Sequence, residues 1–434
     1  MGDEDANVTV YYGSDDNPVQ NVTIPKKNVK TVRLAYKNDN GSMLASGSPN
    51  ASHYSEIKTL VQRKGYRIVS TQPITAYQFN TIRVNAVYND ALLLLPKNVF
   101  GEKYYNIIGS TSGTSATTGY TYIAIQATSP GQTKFKITPN INTISGTNSN
   151  TNASISTLTK NTTYNYTLDQ YDVFQLVANG GMTGTEVTAD KPFVAIAGCP
   201  SCYNARKLTN DVYDHYSEQL FPYQSWGNEF AFGGFKKQGS ERDQWRIIAA
   251  EDTELTITPS ISTADGTMGG TTKIQVKARE PKDIITSSPF HLKSTKPILV
   301  AGFLGDEGTA KDPSYMLVVP VQQFRSDYAF MIPANYSENN ITIIAPQDLT
   351  SVKIYKIVSG SDSLYQTINA SEFTKISSTN YMFYQYSMGK SSSADTPYKL
   401  IADKPVGVQS YGYTSSSSYA YPLGLNLTKL NNTN

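Results

Sequence analysis

The sequence predicts an all-β protein assembled from four tandem, antiparallel, β-sandwich-like modules. Three observations predict it. The chain is rich in strand and loop formers, with 31 Tyr and only 17% charged positions in 434 residues. Apolar and polar residues alternate with period two between Asx, Gly and Pro turns. An ordered set of three short elements returns four times.

The first element is a corner. Ser70-Thr71-Gln72-Pro73-Ile74 returns as Ala189-Asp190-Lys191-Pro192-Phe193, Ser294-Thr295-Lys296-Pro297-Ile298 and Ala402-Asp403-Lys404-Pro405-Val406. The prolines lie about 119, 105 and 108 residues apart. Strand-like residues flank each copy, and proline cannot continue a central ladder. The pattern therefore reads as strand, tight corner, strand.

The second element is an apolar run ending in proline: Leu94-Leu95-Pro96, Leu220-Phe221-Pro222, Val318-Val319-Pro320 and, degenerately, Ala420-Tyr421-Pro422. Aromatic segments follow the first three, such as Gly101-Glu102-Lys103-Tyr104-Tyr105. The third element is an alternating hairpin: residues 122–139, 245–259 and 341–355, with an N-terminal counterpart in Val8–Tyr11 and Val22–Pro25. Cutting before each hairpin divides the chain into modules 1–115, 116–240, 241–337 and 338–434. Each is the size of a seven-stranded sandwich. The alternative is one closed, propeller-like ring of the same repeats.

Composition narrows the function. Lys+Arg and Asp+Glu number 37 and 35, for a net charge of +2, and basic residues form no stripe. Nucleic acid is not an expected partner. No apolar run approaches membrane-spanning length, so direct membrane insertion is not expected either. The start, Met1-Gly2-Asp3-Glu4-Asp5, has no signal-peptide pattern. Asn-x-Ser/Thr sequons make Asn7, Asn21, Asn152, Asn161, Asn165, Asn335, Asn340, Asn369 and Asn426 candidate N-glycosylation sites in a secreted protein.

Catalytic and metal chemistry find little support. His53, His215 and His291 are dispersed, without the local spacing of zinc ligands, and no Gly-x-Ser-x-Gly elbow occurs. No cofactor or metal is expected. The acidic turns Asp15-Asp16-Asn17, Asn38-Asp39-Asn40 and Asp306-Glu307 with Asp312 lack the calcium-loop pattern, and Asx residues cap turns unaided. Cys199 and Cys202 have thioredoxin-like spacing, but no helix pattern follows them. A short-loop disulfide between Cys199 and Cys202, or two reduced thiols, is the plainer reading. Trp226 and Trp245 are candidate sugar-stacking platforms, weighed against ordinary core roles. The more charged connections 203–212 and 305–314 are candidate binding loops, against a role as solvated links.

The segment Thr183 to Ala195, the run Asp214-His215-Tyr216-Ser217-Glu218-Gln219-Leu220 with Ser225-Trp226-Gly227, Asp90 to Tyr105, and Asp312 to Phe324 together resemble the IgGFc-binding protein N-terminal domain family. The resemblance extends over about residues 7–425. It implies a secreted or cell-surface, mucus-associated adhesion or interaction protein and not an enzyme. The expected partners are extracellular proteins or glycoproteins, including self-association. Carbohydrate binding through aromatic platforms is the alternative, and a glycoside-acting enzyme a more distant one. The family commonly pairs a Cys after the strand glycine with one just before the Asp/Asn-His. Tyr213 holds that second place here, so the resemblance points to a local Cys199–Cys202 bridge instead.

Overall fold

The computed structural model describes residues 2–13, 16–34, 59–63, 65–80, 90–109, 119–203, 214–236, 242–259, 262–263, 266–267, 272–286, 288–304, 313–414 and 417–432. Among them the regular structure is strands and one-turn 3-10 helices. All-β architecture follows from the composition: β-branched and aromatic side chains fill alternating positions, as in Tyr120–Ala127, where every second residue is buried.

Six strands come first: β1 (Ala6–Tyr12), β2 (Pro18–Ile24), β3 (Thr59–Gln62), β4 (Tyr66–Ser70), β5 (Ala76–Asn80) and β6 (Asp90–Leu94). A first full set comprises β7 (Gly101–Tyr105), β8 (Tyr120–Ala127), β9 (Thr133–Thr138), the short β10 (Gly146–Asn148) and β11 (Ala153–Ile155), β12 (Tyr164–Leu168), β13 (Val173–Asn179), the 17-residue β14 (Glu186–Cys202) and β15 (Asp214–Gln219). The second set is β16 (Gly227–Phe232), β17 (Asp243–Ala249), β18 (Thr253–Thr258), the two-residue β19 (Ser262–Thr263) and β20 (Gly266–Thr267), β21 (Thr272–Val276), β22 (Lys282–Thr286), β23 (Phe290–Leu304) and β24 (Ser314–Leu317). The third is β25 (Arg325–Ile332), β26 (Glu338–Pro346), β27 (Ser351–Val358), β28 (Ser361–Asn369), β29 (Thr374–Lys375), β30 (Tyr381–Gly389), β31 (Thr396–Tyr413) and β32 (Ser418–Pro422).

One pairing scheme recurs in the three sets. The N-terminal half of the long strand lies between two neighbours: β7 and β9 on β14, β16 and β18 on β23, β25 and β27 on β31. Its C-terminal half lies between two others: β8 and β15, β17 and β24, β26 and β32. Each long strand thus has two neighbours along each half, all within one curled antiparallel sheet. Apolar side chains of these strands meet in a shared core, as with Phe232, Trp245, Ile257 and Phe290 in the second set.

At Pro73 the expected break is present, with β4 ending at Ser70 and β5 beginning at Ala76. The other three corners differ: the segment is continuous strand, and the ladder to β7, β16 and β25 shifts register beside Pro192, Pro297 and Pro405. A bulge there needs no ladder donor at the proline nitrogen. A side-chain oxygen two residues before each proline ties the corner to the neighbouring strand. Thr71 Oγ1 accepts from Asn7 N at 3.0 Å, and Asp190 Oδ1 from Lys134 N at 2.8 Å. Thr295 Oγ1 accepts from Glu254 N at 3.1 Å, and Asp403 Oδ1 from Ser351 N at 2.9 Å.

The N-terminal strands carry only part of the scheme. β1 pairs with β2 and β4, and β5 with β6. β3 instead joins β13 of the first set. Four complete modules are therefore not seen among the described residues. β7, β16 and β25, which precede the hairpins, pair forward onto the next long strand.

The closing strands meet one another. β6 packs on β15, β15 on β24, β24 on β32, and β32 on β6. A linear array of sandwiches has no such closure, whereas a ring does. After β6, β15 and β24, a proline caps a 3-10 turn: Lys97–Val99, Tyr223–Ser225 and Val321–Gln323. Pro222 and Pro320 pass so close to Gly101 and Gly227 that a Cβ on either glycine would stand 2.6 or 2.4 Å from the proline ring.

Candidate functional site: the central strand ring

The four ring strands begin at register-equivalent places. Asp90 lies opposite Asn80, Asp214 opposite Cys202, Ser314 opposite Leu304 and Ser418 opposite Tyr413. All four starting residues are buried. Asp90 joins three ring strands: its Oδ2 accepts from Ser217 N at 3.0 Å, and its Oδ1 from Ser314 Oγ at 3.0 Å and Ala91 N at 2.9 Å. Glu218 Oε1 accepts from Leu317 N at 3.3 Å, and Gln219 Oε1 from Leu95 N at 3.0 Å. Ser418 Oγ donates to Pro313 O at 2.7 Å.

An aromatic layer backs these polar contacts. Tyr216 packs on Phe303 and Tyr315, and Tyr315 OH donates to Ile107 O at 2.6 Å. Arg246 holds Asp283 by two bonds of 2.8 Å and donates to Ile108 O at 2.6 Å, fixing residues 107–108 against the second set. Burial pushes the Asp90 carboxyl well above its usual range, against the pull of its three hydrogen bonds. Burial, and then the charge of Asp90, does the same to Glu218. Burial thus disfavours the charged form of both acids. They act as hydrogen-bonding staples, and with 1% exposure each neither faces a substrate.

The sequence candidates are scattered through the fold. His53 lies outside the described residues. His215 sits in the ring strand β15, while His291 lies in β23 and bonds Glu229 Oε1 at 2.8 Å. These two histidines do not converge on one site. Trp226 and Trp245 are each 1% exposed and pack inside aromatic clusters, so neither offers a ring face to a sugar. Cys199 and Cys202 are buried, with Cα atoms 6.0 Å apart and sulfurs at bonding distance, on a strand that pairs with β15. Among the described residues the next element after them is β15, a strand, and not a helix.

Of the acidic turns, Asp16 lies 3.8 Å from Arg67, whereas Asp15, Asn38–Asn40, Asp306, Glu307 and Asp312 lie outside the described residues. Among the described residues no three His, Cys, Asp or Glu side chains gather as metal ligands. The connections 203–212 and 305–314 are described only at Tyr203, Pro313 and Ser314. Eight of the candidate sequon asparagines are exposed, while Asn340 is fully buried beside Thr342, where a glycan has no room. Sequence reasoning missed Asp90 and Glu218 as a pair. The available signal was the acidic residue at the equivalent start of two strands, Asp90 and Asp214, with Glu218 four residues further along the second.

Curled antiparallel sheets whose closing strands meet in a circuit define an all-β protein, with its buried polar groups used for construction. The chain belongs to the IgGFc-binding protein family: the family model described as IgGFc binding protein matches residues 90–412. The match starts at the first ring strand and ends in β31, short of the 7–425 span of the resemblance. A human protein named IgGFc-binding protein is 22% identical over 258 residues, which is 58% of this chain and 4% of that protein. The chain thus spans a small fraction of that relative's length. No helix among the described residues is long and apolar enough to cross a membrane.

Proposed function

We propose that the protein is a non-enzymatic, extracellular interaction module, secreted or cell-surface, that binds protein or glycoprotein partners. The family match over 90–412 carries the reading. The ring supports it by offering a rigid base: the residues that flank the connections into β6, β24 and β32 stand together, with Ser314 bonded to Asp90 and Ser418 to Pro313. Loops held on such a base are suited to recognition. Construction from four related modules, divided at 115/116, 240/241 and 337/338, belongs to the same proposal. The corner hydrogen bond, present at Thr71, Asp190, Thr295 and Asp403, supports the kinship of the four.

Immunoglobulin Fc, named in the human relative, is one ligand to test and carries no priority. The test is a surface-binding panel of mucins, matrix proteins, immunoglobulin Fc and free glycans, with the purified full chain as analyte. Saturable binding to a protein or glycoprotein is expected. Binding to free glycans alone, or to nothing on the panel, overturns the reading.

A further inference from the structure

The third set places a tyrosine where the other sets bury an aliphatic side chain. Tyr386 lies opposite Ile341 as Ile284 lies opposite Trp245 and Leu176 opposite Ile123. Leu176 and Ile284 are each 1% exposed, whereas Tyr386 is only half-buried. A bulge brings a second tyrosine to it. Gln366 pairs with Ile354 and Leu364 with Tyr355, so Tyr365 is the extra residue of β28. A bulge of this kind re-aims a side chain. The Tyr365 ring turns to Tyr386 and Tyr398, with centroids 6.4 and 5.5 Å away. Tyr384 extends the row, 6.4 Å from Tyr386. All four rings lie within the unbroken described run 313–414.

Hydroxyl placement separates this pair from other tyrosine pairs in the fold. Burial pushes the Tyr386 phenol up to about 12, helped by the charge of Tyr365 and by the contact between the two hydroxyls. Tyr398 rises to about 12 by burial and by the charges of Tyr365 and Tyr386, but without a hydroxyl contact. In the buried pairs Tyr77–Tyr421 and Tyr419–Tyr421 the hydroxyls turn to other acceptors: Leu423 O, Met331 O and Asn339 Oδ1. Tyr365 is also 40% exposed, so an oxidant can reach the pair through it.

We propose that Tyr365 and Tyr386 form a site of oxidative modification, where a one-electron oxidant couples the two rings into a dityrosine. Each phenol gives one electron to the oxidant and its hydroxyl proton to water. The two tyrosyl radicals join through ring carbons that flank the hydroxyl-bearing carbons. Each coupled carbon then loses its hydrogen as a proton, and each oxygen takes one up, which restores both phenols. In sum one carbon–carbon bond forms, two ring C–H bonds break, and two electrons and two protons leave. A peroxidase passes them to hydrogen peroxide, which is reduced to two waters. Because the coupling carbons flank the hydroxyl, neighbouring hydroxyls are neighbouring coupling sites. Two rings held in this way react within one molecule and outrun coupling between molecules. The new bond joins β28 to β30, which lie at separate places in the strand order β28-β27-β31-β26-β30-β29. It closes the curled sheet of the third set across its core. This site stands apart from the interaction-module reading.

The test treats the folded full chain with a haem peroxidase and hydrogen peroxide, then digests it with trypsin. Tyr365 is the one tyrosine of peptide 357–375, and Tyr386 lies in peptide 376–390. Expected from monomeric protein is a linked pair of these peptides, lighter than their sum by two hydrogens. Unfolding the chain in urea before oxidation should lower the yield at least about tenfold, because the rings are no longer held together. Tyr365→Phe and Tyr386→Phe should each abolish the pair, while Tyr384→Phe keeps it. Phenylalanine preserves the ring packing, so the loss reports the missing hydroxyl. A linked pair that survives Tyr386→Phe, an equal yield from unfolded chain, a link from Tyr365 to Tyr398 in its place, or no link at all overturns the site. Those failures leave the partner panel untouched, so the two readings fall separately.

Discussion

Asp403 Oδ1 accepts a hydrogen bond from the backbone N–H of Ser351 at 2.9 Å, clamping the corner of β31 to the first residue of β27. Both Asp403 oxygens also take the Thr350 N–H, each at 3.1 Å. Burial would raise this carboxyl. The bonds from Ser351 and Thr350 outweigh it and hold the pKa below the usual value. A depressed folded value contributes stability above the unfolded pKa, near ~4, and loses it as pH falls below that.

Asp403→Ala should therefore cost about 1 kcal/mol at pH 7 and less at pH 3. Asp403→Thr, which imitates Thr295 and Thr71, should recover much of the loss. Denaturant melts at the two pH values check this. An alanine variant as stable as the parent at pH 7 would remove the clamp from the account.

Glu218 carries a prediction of opposite sign. Its folded pKa is raised, by burial first and Asp90 second. The folded chain then holds a proton that the unfolded chain releases above about pH 4. Stability is full below that value and declines as pH rises toward the folded one. Glu218→Gln keeps an oxygen for Leu317 N–H and has no proton to lose. It should raise Tm at pH 8 by roughly 3 °C and change little at pH 4. A lower Tm at pH 8 would mean that the ionised form is the one built into the ring. Asp90→Asn has no such freedom, because three donors meet its two oxygens. It should destabilise at both pH values.

Much of the fold was legible because its repeated parts are local. The corner needs a proline and a side-chain oxygen two residues earlier, and both lie within one short motif. The Gly101 and Gly227 positions were visible too, although the reason for them, a proline from over 90 residues further on, was not. The ring was illegible. Asp90 meets Ser217 and Ser314 across more than a hundred residues of chain, and no periodicity encodes which strand faces which. Trp226 and Trp245 show the converse limit: an aromatic that can stack on a sugar is, by the same chemistry, one that fills a core.

Gly184 predicts a join between the first and second sets. It has φ +93°, and a Cβ there would stand 1.9 Å from the carbonyl oxygen of Arg279. Arg279 answers with its side chain, donating to Gly184 O at 2.9 Å and Thr138 O at 2.8 Å. Gly184→Ala must move backbone against backbone and adopt a conformation that L residues avoid. A loss of about 2 kcal/mol is expected. Arg279→Ala should lose less, since it removes two hydrogen bonds without forcing a clash. The reverse order of the two melts would refute the steric argument.

His291 makes the contact between the second and third sets sensitive to acid. Its Nε2 lies 2.8 Å from Glu229 Oε1, its ring stacks on Tyr381 at 5.1 Å, and Tyr381 OH bonds the same carboxylate at 3.2 Å. Lys293 reaches that carboxylate as well, at 3.5 Å. Burial lowers the His291 pKa below 6.5. The Glu229 bond and charge oppose the shift, and Lys293 assists it. A depressed value means that the neutral ring is favoured, so this contribution is present above about pH 6.5 and is lost as pH falls through the folded value. His291→Gln keeps a donor for Glu229 and does not titrate. Its melts should be flatter between pH 6.5 and 5 than those of the parent, and an unchanged slope would show that the site does not titrate with folding.

The candidate modification chemistry makes a prediction that one mass measurement reads. Asn340 has no exposed side-chain surface, and Thr342 of the same sequon donates to Gly234 O at 3.0 Å. A glycan on Asn340 would have to leave through the contact between the second and third sets. Protein secreted from a glycosylating host should carry any sugar at exposed asparagines such as Asn165 and Asn369, with Asn340 bare. On reduction the intact mass should rise by two hydrogens, and alkylation before reduction should label neither Cys199 nor Cys202. A labelled, unreduced protein would mean free thiols. A glycopeptide spanning Asn340 from folded protein would mean that β26 does not pair as the structure has it.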